Sequence, residues 1–202
     1  MRHDAPIVSA EEIRLVVNAD DFGMSAAISR GILRAHREGI VTSTSLLGNA
    51  ANLPAAKAML SEAPNLGVGV HLALCGGPPV AAADTVRSLL APDGGLWPRG
   101  QDFIAAWLTR RQLGARRHGP QSWGYVEAGH LDAIRILEII GRLGPGPHEL
   151  ICHPGETADE GDTRGQSPRY HRTTELASLT SAKVRRALEQ RQVTLCRWGD
   201  LF

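Results

Sequence analysis

Residues 14–47 read RLVVNADDFGMSAAISRGILRAHREGIVTSTSLL, and this stretch decides the fold. The apolar run over residues 14–19 predicts a strand, the Asp-Asp-Phe-Gly sequence at 20–23 predicts a turn, and Ser25 is placed to cap the helix that follows. Residues 41–47 are typical of a second strand. A helix between two strands predicts that the strands run parallel, because such a crossover returns the chain to the same end of the sheet.

The same alternation of strands and helices continues along the chain. Further helices are predicted over residues 52–62, 84–90, 101–113, 126–143 and 173–190, and further strands over residues 67–74, 149–153 and 193–197. This order predicts an α/β protein with a parallel sheet of about five strands, as an open layer or a barrel. No linker interrupts it, so we expect a single domain over residues 1–202.

Composition excludes several classes of function. Lys and Arg total 22 and Asp and Glu total 21, and this net charge of +1 gives no electrostatic attraction for nucleic acid or an anionic membrane. No apolar run reaches the roughly 18 residues of a membrane span, and no secretory signal is visible at the N-terminus. The three cysteines are widely spaced, so we expect no disulfide framework and a cytoplasmic protein.

Polar side chains lie near the ends of three predicted strands. Asp20 and Asp21 follow the first strand, His71 lies towards the end of the third, and His153 closes the fourth. Functional groups collect at the carboxyl ends of parallel strands, so these residues form a candidate site. Adjacent carboxylates need a cation or a proton nearby, although one of them could instead cap the helix. His71 is either a neutral core imidazole or a ligand.

With these residues placed, the chain resembles the YdjC-like carbohydrate deacetylases, which include chito-oligosaccharide deacetylase and a hopanoid-biosynthesis branch. The resemblance rests on VVNADDFGMSAAISRGILRAHREGIVTSTSLLGNA, NLGVGVHLAL, HELICHPGE and RYHRTTELASLTSAKVRRALEQRQVTL, and covers most of the chain from Arg14 to Phe202. It implies a (β/α)-barrel-like fold. It also implies metal-assisted removal of an acetyl group from a small N-acetylated sugar or oligosaccharide.

The resemblance implies a role for each candidate residue. Asp21 and His71 would bind a divalent ion, Mg²⁺ or Zn²⁺, and Asp20 would act as general base. His153 would act as an acid or stabilise charge on the substrate. The residues assigned to substrate binding are Asn18, Phe22 and Pro154. This division of labour agrees with metal-assisted hydrolysis, in which a carboxylate takes a proton from water.

The chain departs from the family in one segment. Family members carry an Asp-x-His-x-His type motif that supplies a third ligand, whereas here RRQLGARRHGPQ runs directly into SWGYVEAGHLDAIRIL. We therefore predict an internal deletion near residues 114–124, an incomplete sheet that is open between GVGVHLAL and ELICH, and a homodimer as one way of covering that edge. The sequence His130-Leu131-Asp132 is similar to the missing motif, but it lies inside a predicted helix.

Two functions remain open at this stage. The chain is a metal-dependent carbohydrate deacetylase whose site another residue or a partner chain completes, or it is a non-catalytic metal- or sugar-binding relic of that family. Nucleotide binding has little support, because no glycine-rich phosphate loop is present.

Overall fold

The structure is a computed structural model that describes residues 11–97, 120–160, 162, 167 and 169–201. Among these residues the strands are β1 (Ile13–Phe22), β2 (Ser43–Leu47), β3 (Gly67–His71), β4 (Gln121–Trp123), β5 (Gly146–Cys152) and β6 (Thr194–Leu195). The helices are α1 (Ala26–Glu38), α2 (Leu53–Leu60), α3 (Ala133–Arg142), α4 (Arg172–Leu179) and α5 (Ala182–Gln190). The predicted helix over residues 101–113 lies outside the described residues.

β1 is the central strand of a parallel sheet whose order is β3-β2-β1-β5-β4. The β1–β5 register runs from Ile13 opposite Gly146 to Ala19 opposite Cys152. β2 pairs with the carboxyl half of β1, and β6 pairs with its amino half on the side opposite β5. The predicted α/β fold with a parallel sheet is confirmed, with the two-residue β6 as a sixth strand.

The central position of β1 explains its composition. Leu15, Val16, Val17 and Ala19 are all buried, as expected for a strand covered on both faces. The predicted helix cap is confirmed, because Ser25 Oγ accepts a hydrogen bond from the backbone N–H of Ile28 at 3.2 Å. The helix α1 that follows this cap packs its apolar face against the sheet. β1 and α1 thus form the part of the core that positions the site.

Two helix predictions are wrong in their extent. The predicted helix over residues 126–143 begins only at Ala133, where Asp132 Oδ1 accepts from the backbone N–H of Arg135 at 2.8 Å. Gly129 has a φ of +85°, which a helix does not allow, so His130 precedes the helix and does not lie in it. The predicted helix over residues 173–190 is two helices, because Ser181 caps the second of them through the backbone N–H of Lys183.

Other element predictions are also corrected. Residues 84–90 form the short 3-10 turns Ala83–Thr85 and Arg87–Leu89. β4 was not predicted, because it has only three residues and no apolar alternation. The last strand is shorter than predicted. In the described part of the chain, no helix has the length and apolar character needed to cross a membrane.

The sheet has two open edges among the described residues. β3 pairs there only with β2, and β4 only with β5, so the GVGVHLAL and ELICH strands do not pair with each other. Val68 and Val70 on β3 are 51% and 72% exposed, which is high for valines on a strand. The described open edges are therefore β3 and β4, and not the ELICH strand, which β4 flanks; the covering of these edges by a second copy stays a prediction.

Candidate active site

The chain is irregular where Asp20 and Asp21 end β1. The pairing of β1 with β2 shifts register between Ala19 and Phe22, which is the mark of a β-bulge. Asp21 has a φ of +76°, in the left-handed region that Asp tolerates better than most residues. A bulge re-aims the side chains that flank it, so the two adjacent carboxylates meet different neighbours.

The carboxylate of Asp20 is turned towards β2 and β3. Its Oδ1 accepts hydrogen bonds from Asn18 Nδ2 at 2.8 Å and from Ser45 Oγ at 2.6 Å. Nδ1 of His71 lies 2.9 Å from Ser45 Oγ and 4.0 Å from Asp20 Oδ1. Because the hydroxyl proton of Ser45 goes to the carboxylate, Nδ1 of His71 donates to Ser45 Oγ, and Nε2 is the ring nitrogen left to bind a ligand.

The carboxylate of Asp21 is turned towards the start of α4. Its Oδ2 accepts a hydrogen bond from Arg172 Nη2 at 2.7 Å, and the two side chains are only 12% and 10% exposed. Nη1 of Arg172 donates to the carbonyl oxygen of His153 at 3.4 Å, and the guanidinium lies 4.9 Å above the ring of Tyr170. Asp21 is therefore a buried carboxylate whose charge an arginine compensates.

His153 follows β5 and is held at its backbone. Its N–H donates to Glu175 Oε2 at 2.6 Å, and its ring meets Tyr170 edge-on with centroids 4.9 Å apart. Its Nδ1 is buried and has no hydrogen-bond partner within the described ranges. A buried polar atom without a partner costs about 1–3 kcal/mol, so its persistence points to a ligand or water at this position.

Tyr170 stays protonated beside His153. Burial, and then the negative charge of Asp21, raises the pKa of its phenol above the ordinary value. Its hydroxyl is therefore available as a hydrogen-bond donor over the whole neutral range.

The three residues that the sequence analysis assigned to substrate binding have different environments in the structure. Asn18 orients the carboxylate of Asp20 through a hydrogen bond. Phe22 is fully buried in the core, which leaves its side chain no exposed surface for a substrate. Pro154 is also buried, between His153 and Gly155, whose backbone N–H donates to the carbonyl of Arg172 at 3.2 Å.

Four residues of this site escaped the sequence analysis: Ser45, Tyr170, Arg172 and Glu175. Ser45 lies in an alternating Thr-Ser-Thr-Ser strand, where nothing distinguishes it from its neighbours. Arg172 and Glu175 are three positions apart and so share one face of α4, which was a usable signal. Both are buried charged residues, and such residues are almost always paired.

The described residues supply two metal-ligand side chains at one point, not three. No group of three His, Cys, Asp or Glu side chains that could hold a metal occurs among them, and His130 instead packs edge-on against His171, 4.7 Å between centroids. Asp20 and His71 are a carboxylate and an imidazole 4.0 Å apart. This pair fits Mg²⁺, which keeps several waters, better than catalytic Zn²⁺, which takes three protein ligands.

A cavity of about 240 Å³ adjoins His71. Its far wall is the segment after β3, which Asn49 fastens by donating through Nδ2 to the carbonyl of Gly76 at 2.9 Å. The other wall residues are largely apolar and include Leu72, Val80 and Leu96. The cavity provides room for a small molecule beside His71.

A sequence model described as "YdjC-like protein" matches residues 14–116 and 100–190, which together span most of the chain. The chain belongs to the YdjC-like family. A carbohydrate deacetylase of Brevibacillus brevis is 47% identical over 251 residues, an alignment that covers 94% of this chain and 100% of the relative. A carbohydrate deacetylase of Geobacillus stearothermophilus is 40% identical over 245 residues, covering 93% of this chain and 97% of that protein.

Other similarities cover a shorter stretch or the fold alone. A chitooligosaccharide deacetylase of Proteus mirabilis is 49% identical over 67 residues, covering 33% of this chain and 26% of that protein. A crystal structure from Enterococcus faecalis V583, of a protein provisionally assigned to cellobiose-phosphate cleavage, has a TM-score of 0.74 at 22% identity. It covers 94% of this chain and 99% of that one.

This YdjC-like chain is shorter than the relatives that it matches. Because 94% of its 202 residues is about 190, roughly sixty positions of the 251-residue alignment have no counterpart here. The deletion predicted near residues 114–124 stays a prediction.

Proposed function

We propose that this YdjC-like chain hydrolyses the acetyl amide of an N-acetylated sugar or oligosaccharide. The observation that carries the proposal is the arrangement around Asp20, whose Oδ1 accepts two hydrogen bonds from described residues. Relatives aligned over nearly their whole length are named carbohydrate deacetylases, which supports the same reaction class. The cavity beside His71 is the space that we assign to the substrate.

Asp20 is the proposed general base. Asn18 and Ser45 fix its Oδ1, and no described residue donates a hydrogen bond to Oδ2. Oδ2 would take a proton from water while the water oxygen attacks the carbonyl carbon of the acetyl group. Fixing one oxygen orients the other, so the carboxylate does not have to reorganise during the reaction.

His153 is the proposed acid on the other side of the site. Its ring would donate a proton to the amide nitrogen while the C–N bond breaks, giving acetate and a free amino sugar. The backbone N–H of His153 donates to Glu175 Oε2 at 2.6 Å, and this hydrogen bond fixes the position of the backbone that carries the ring.

A divalent ion is part of this proposal. His71 would hold it through Nε2, because Nδ1 is bonded to Ser45, and Asp21 would be the second ligand once its carboxylate left Arg172. A bound ion would lower the pKa of water and polarise the acetyl carbonyl. With two protein ligands we expect weak binding that favours Mg²⁺, in contrast to a site with three.

A second candidate is a non-catalytic sugar- or metal-binding protein of the same family. The observation in its favour is that the described residues contain no group of three ligand side chains. Such a protein would keep the cavity and the Asp20–His71 pair but release no acetate. The two candidates make opposite predictions for turnover and the same prediction for sugar binding.

An acetate-release assay on N,N′-diacetylchitobiose separates them. The full chain is assayed with Mg²⁺, with Zn²⁺ and with a chelator, and sugar binding is measured in parallel by calorimetry. Asp20→Asn should abolish acetate release while sugar binding persists, and the exposed Asp84→Asn serves as control. Sugar binding without any acetate release would favour the non-catalytic function, and the absence of both would exclude the deacetylase and a sugar-binding protein together.

Metal titration then tests the ligand roles. If Asp20 is only the base, Asp20→Asn should leave the affinity for Mg²⁺ largely unchanged while Asp21→Asn reduces it. Loss of affinity in Asp20→Asn alone would identify Asp20 as the ligand, as its position beside His71 suggests.

A further inference from the structure

The hydroxyl of Ser45 lies between two side chains to which the proposed reaction gives different tasks. Its Oγ is 2.6 Å from Oδ1 of Asp20, the proposed base, and 2.9 Å from Nδ1 of His71, the proposed ligand. The direct distance between Asp20 Oδ1 and His71 Nδ1 is 4.0 Å, which is too long for a hydrogen bond. The carboxylate and the imidazole are therefore connected through this hydroxyl.

The direction of the two hydrogen bonds follows from the number of protons available. An ionised carboxylate only accepts, and a hydroxyl has one proton to give. If Ser45 gave that proton to His71, its oxygen and the carboxylate oxygen would face each other at 2.6 Å with no proton between them, which is repulsive. Ser45 therefore donates to Asp20, and Nδ1 of His71 donates to Ser45.

The order of the strands brings Ser45 to this position. Ser45 is in β2, which lies between β1, whose bulge carries Asp20, and β3, which ends at His71. Gly69 is the register partner of Ser45 on β3, and His71 follows two residues later on the same face. A residue of the intervening strand is thus within reach of the carboxylate on one side and the imidazole on the other.

We propose that Ser45 is a positioning residue that links the base to the metal ligand, because it holds His71 in the tautomer whose Nε2 can bind a divalent ion and at the same time fixes Asp20 by Oδ1. The proposal rests on the proposed function for its consequence in catalysis. The tautomer of His71 is a property of the metal-free chain, so it can be measured whether or not the chain releases acetate.

The tautomer decides whether His71 can act as a ligand. A neutral imidazole carries its proton on one ring nitrogen and binds a metal through the other. With Ser45 as acceptor the proton stays on Nδ1, whereas without an acceptor there the ring can carry its proton on Nε2 and lose its ligand atom on that side. The hydrogen bond that a ligand histidine makes to such a second partner is worth about 10- to 100-fold in metal affinity.

The same hydroxyl acts on the proposed base. Ser45 Oγ and Asn18 Nδ2 both donate to Oδ1 of Asp20, and two donors from different strands prevent the carboxylate from turning. Without Ser45 a single hydrogen bond from Asn18 remains, and the carboxylate can rotate about it. The expected kinetic effect is a lower kcat with a KM that changes little, because orientation is lost and sugar contacts are not.

The test compares Ser45→Ala with Ser45→Thr, which keeps the hydroxyl, and with Ser122→Ala as a matched control. Ser122 also donates to a carboxylate, that of Glu149 at 3.0 Å, but it does so on the exposed strand β4. Long-range ¹H–¹⁵N spectra of the metal-free chain, assigned with a His71→Gln variant, show which ring nitrogen carries the proton at a mildly alkaline pH, where imidazole is neutral. We expect the proton on Nδ1 in the wild-type chain, in Ser45→Thr and in Ser122→Ala, and a substantial fraction on Nε2 in Ser45→Ala.

Calorimetric titration with Zn²⁺, an ion that imidazole binds well, is the second readout. Ser45→Ala should lower the affinity about tenfold or more, and Ser45→Thr should restore it, while Ser122→Ala leaves it unchanged. The His71→Gln variant gives the binding that does not involve His71. Equal losses in Ser45→Ala and Ser45→Thr would overturn the proposal, because they would show that the shape of the residue matters and its hydroxyl does not.

The proposal stays testable if Ser45→Ala does not fold. Ser45→Cys keeps a side chain of similar size whose thiol is a weak donor and acceptor, so it should show the same change of tautomer. A proton on Nε2 of His71 in the wild-type chain, or an unchanged tautomer in the alanine and cysteine variants, would overturn the proposal. If the wild-type chain releases no acetate, the proposed function fails, but the spectra of His71 still decide the role of Ser45.

Discussion

Arg172 Nη2 lies 2.7 Å from Asp21 Oδ2, although 151 positions of the chain separate the two residues. Adjacent carboxylates at a strand end need a compensating cation, and for Asp21 the protein supplies that cation from α4. Hydrogen bonds from Asn18 and Ser45 serve the same purpose for Asp20. The site is therefore internally compensated, and we expect the chain to fold without added metal.

The buried ion pair predicts a large loss of stability when one partner is removed. Asp21→Asn removes the carboxylate that lies 2.7 Å from the buried Arg172 guanidinium, so the free energy of unfolding should fall by about 3–5 kcal/mol. Asp20→Asn, at a more exposed carboxylate, should cost less. Urea unfolding of both variants measures the difference, and equal losses would show that Arg172 compensates the two carboxylates together.

Substitution of Glu175 should also destabilise the protein, through the loss of a hydrogen-bond acceptor. Both of its oxygens accept from backbone N–H groups, Oε1 from Leu131 and Oε2 from His153. Glu175→Gln replaces one acceptor by a donor that faces an N–H, so unfolding should be easier by about 1–3 kcal/mol. Glu189→Gln on the exposed face of α5 is the matched control. A loss no greater than that of the control would contradict the role of Glu175 as a buried acceptor.

Tyr170 predicts a pH dependence at the alkaline end. Because the pKa of its phenol is raised in the folded state, its contribution to stability is complete below the ordinary tyrosine pKa of about 10 and is lost as the pH rises through the folded value. The chain has two tyrosines, so absorbance at 295 nm follows few groups. Tyr170→Phe should remove a phase of ionisation at the higher pH, and an unchanged titration would contradict the prediction.

The cysteines differ in burial, so we expect them to differ in their reaction with a thiol reagent. Cys152 is buried, and this burial, followed by the negative charge of Glu175, raises the pKa of its thiol well above the usual value. The thiolate is the reactive form, so Cys152 should react with 5,5′-dithiobis(2-nitrobenzoate) only after unfolding, whereas the partly exposed Cys75 reacts in the native protein. Mass spectrometry after brief labelling identifies the modified residue, and early labelling of Cys152 would contradict its burial.

The sequence predicted the parts of the fold that rest on local pattern. The apolar run over residues 14–19, the capping Ser25 and the alternation of strands with helices were readable, because burial and capping leave a residue-type signature. The start of α3 was missed because its pattern extends back into residues that Gly129, with a positive φ, keeps out of the helix. Helix propensity alone does not show that the backbone conformation of one glycine keeps the preceding residues out of the helix.

The sequence singled out four residues of the candidate site and neither their pairing nor the four residues that hold them. Asp20, Asp21, His71 and His153 stood out because polar residues at strand ends are few. The separation of the two carboxylates depends on a bulge and on Arg172, which lies far away in the chain. Long-range pairing of this kind leaves no local pattern, so Arg172 could be recognised only after the fold had brought it beside Asp21.

The pairing of β1 with β5 has a consequence for synthesis on the ribosome. β1 lies between residues 13 and 22, but the strand on one of its flanks ends only at Cys152, so more than a hundred residues must emerge before that flank is covered. Until then β1 is an apolar strand whose backbone N–H and C=O groups on that flank are unpaired. Such a strand can pair with a non-native strand of the same or another chain. Release of β5 from the ribosome is therefore the step that allows β1 to pair on this flank.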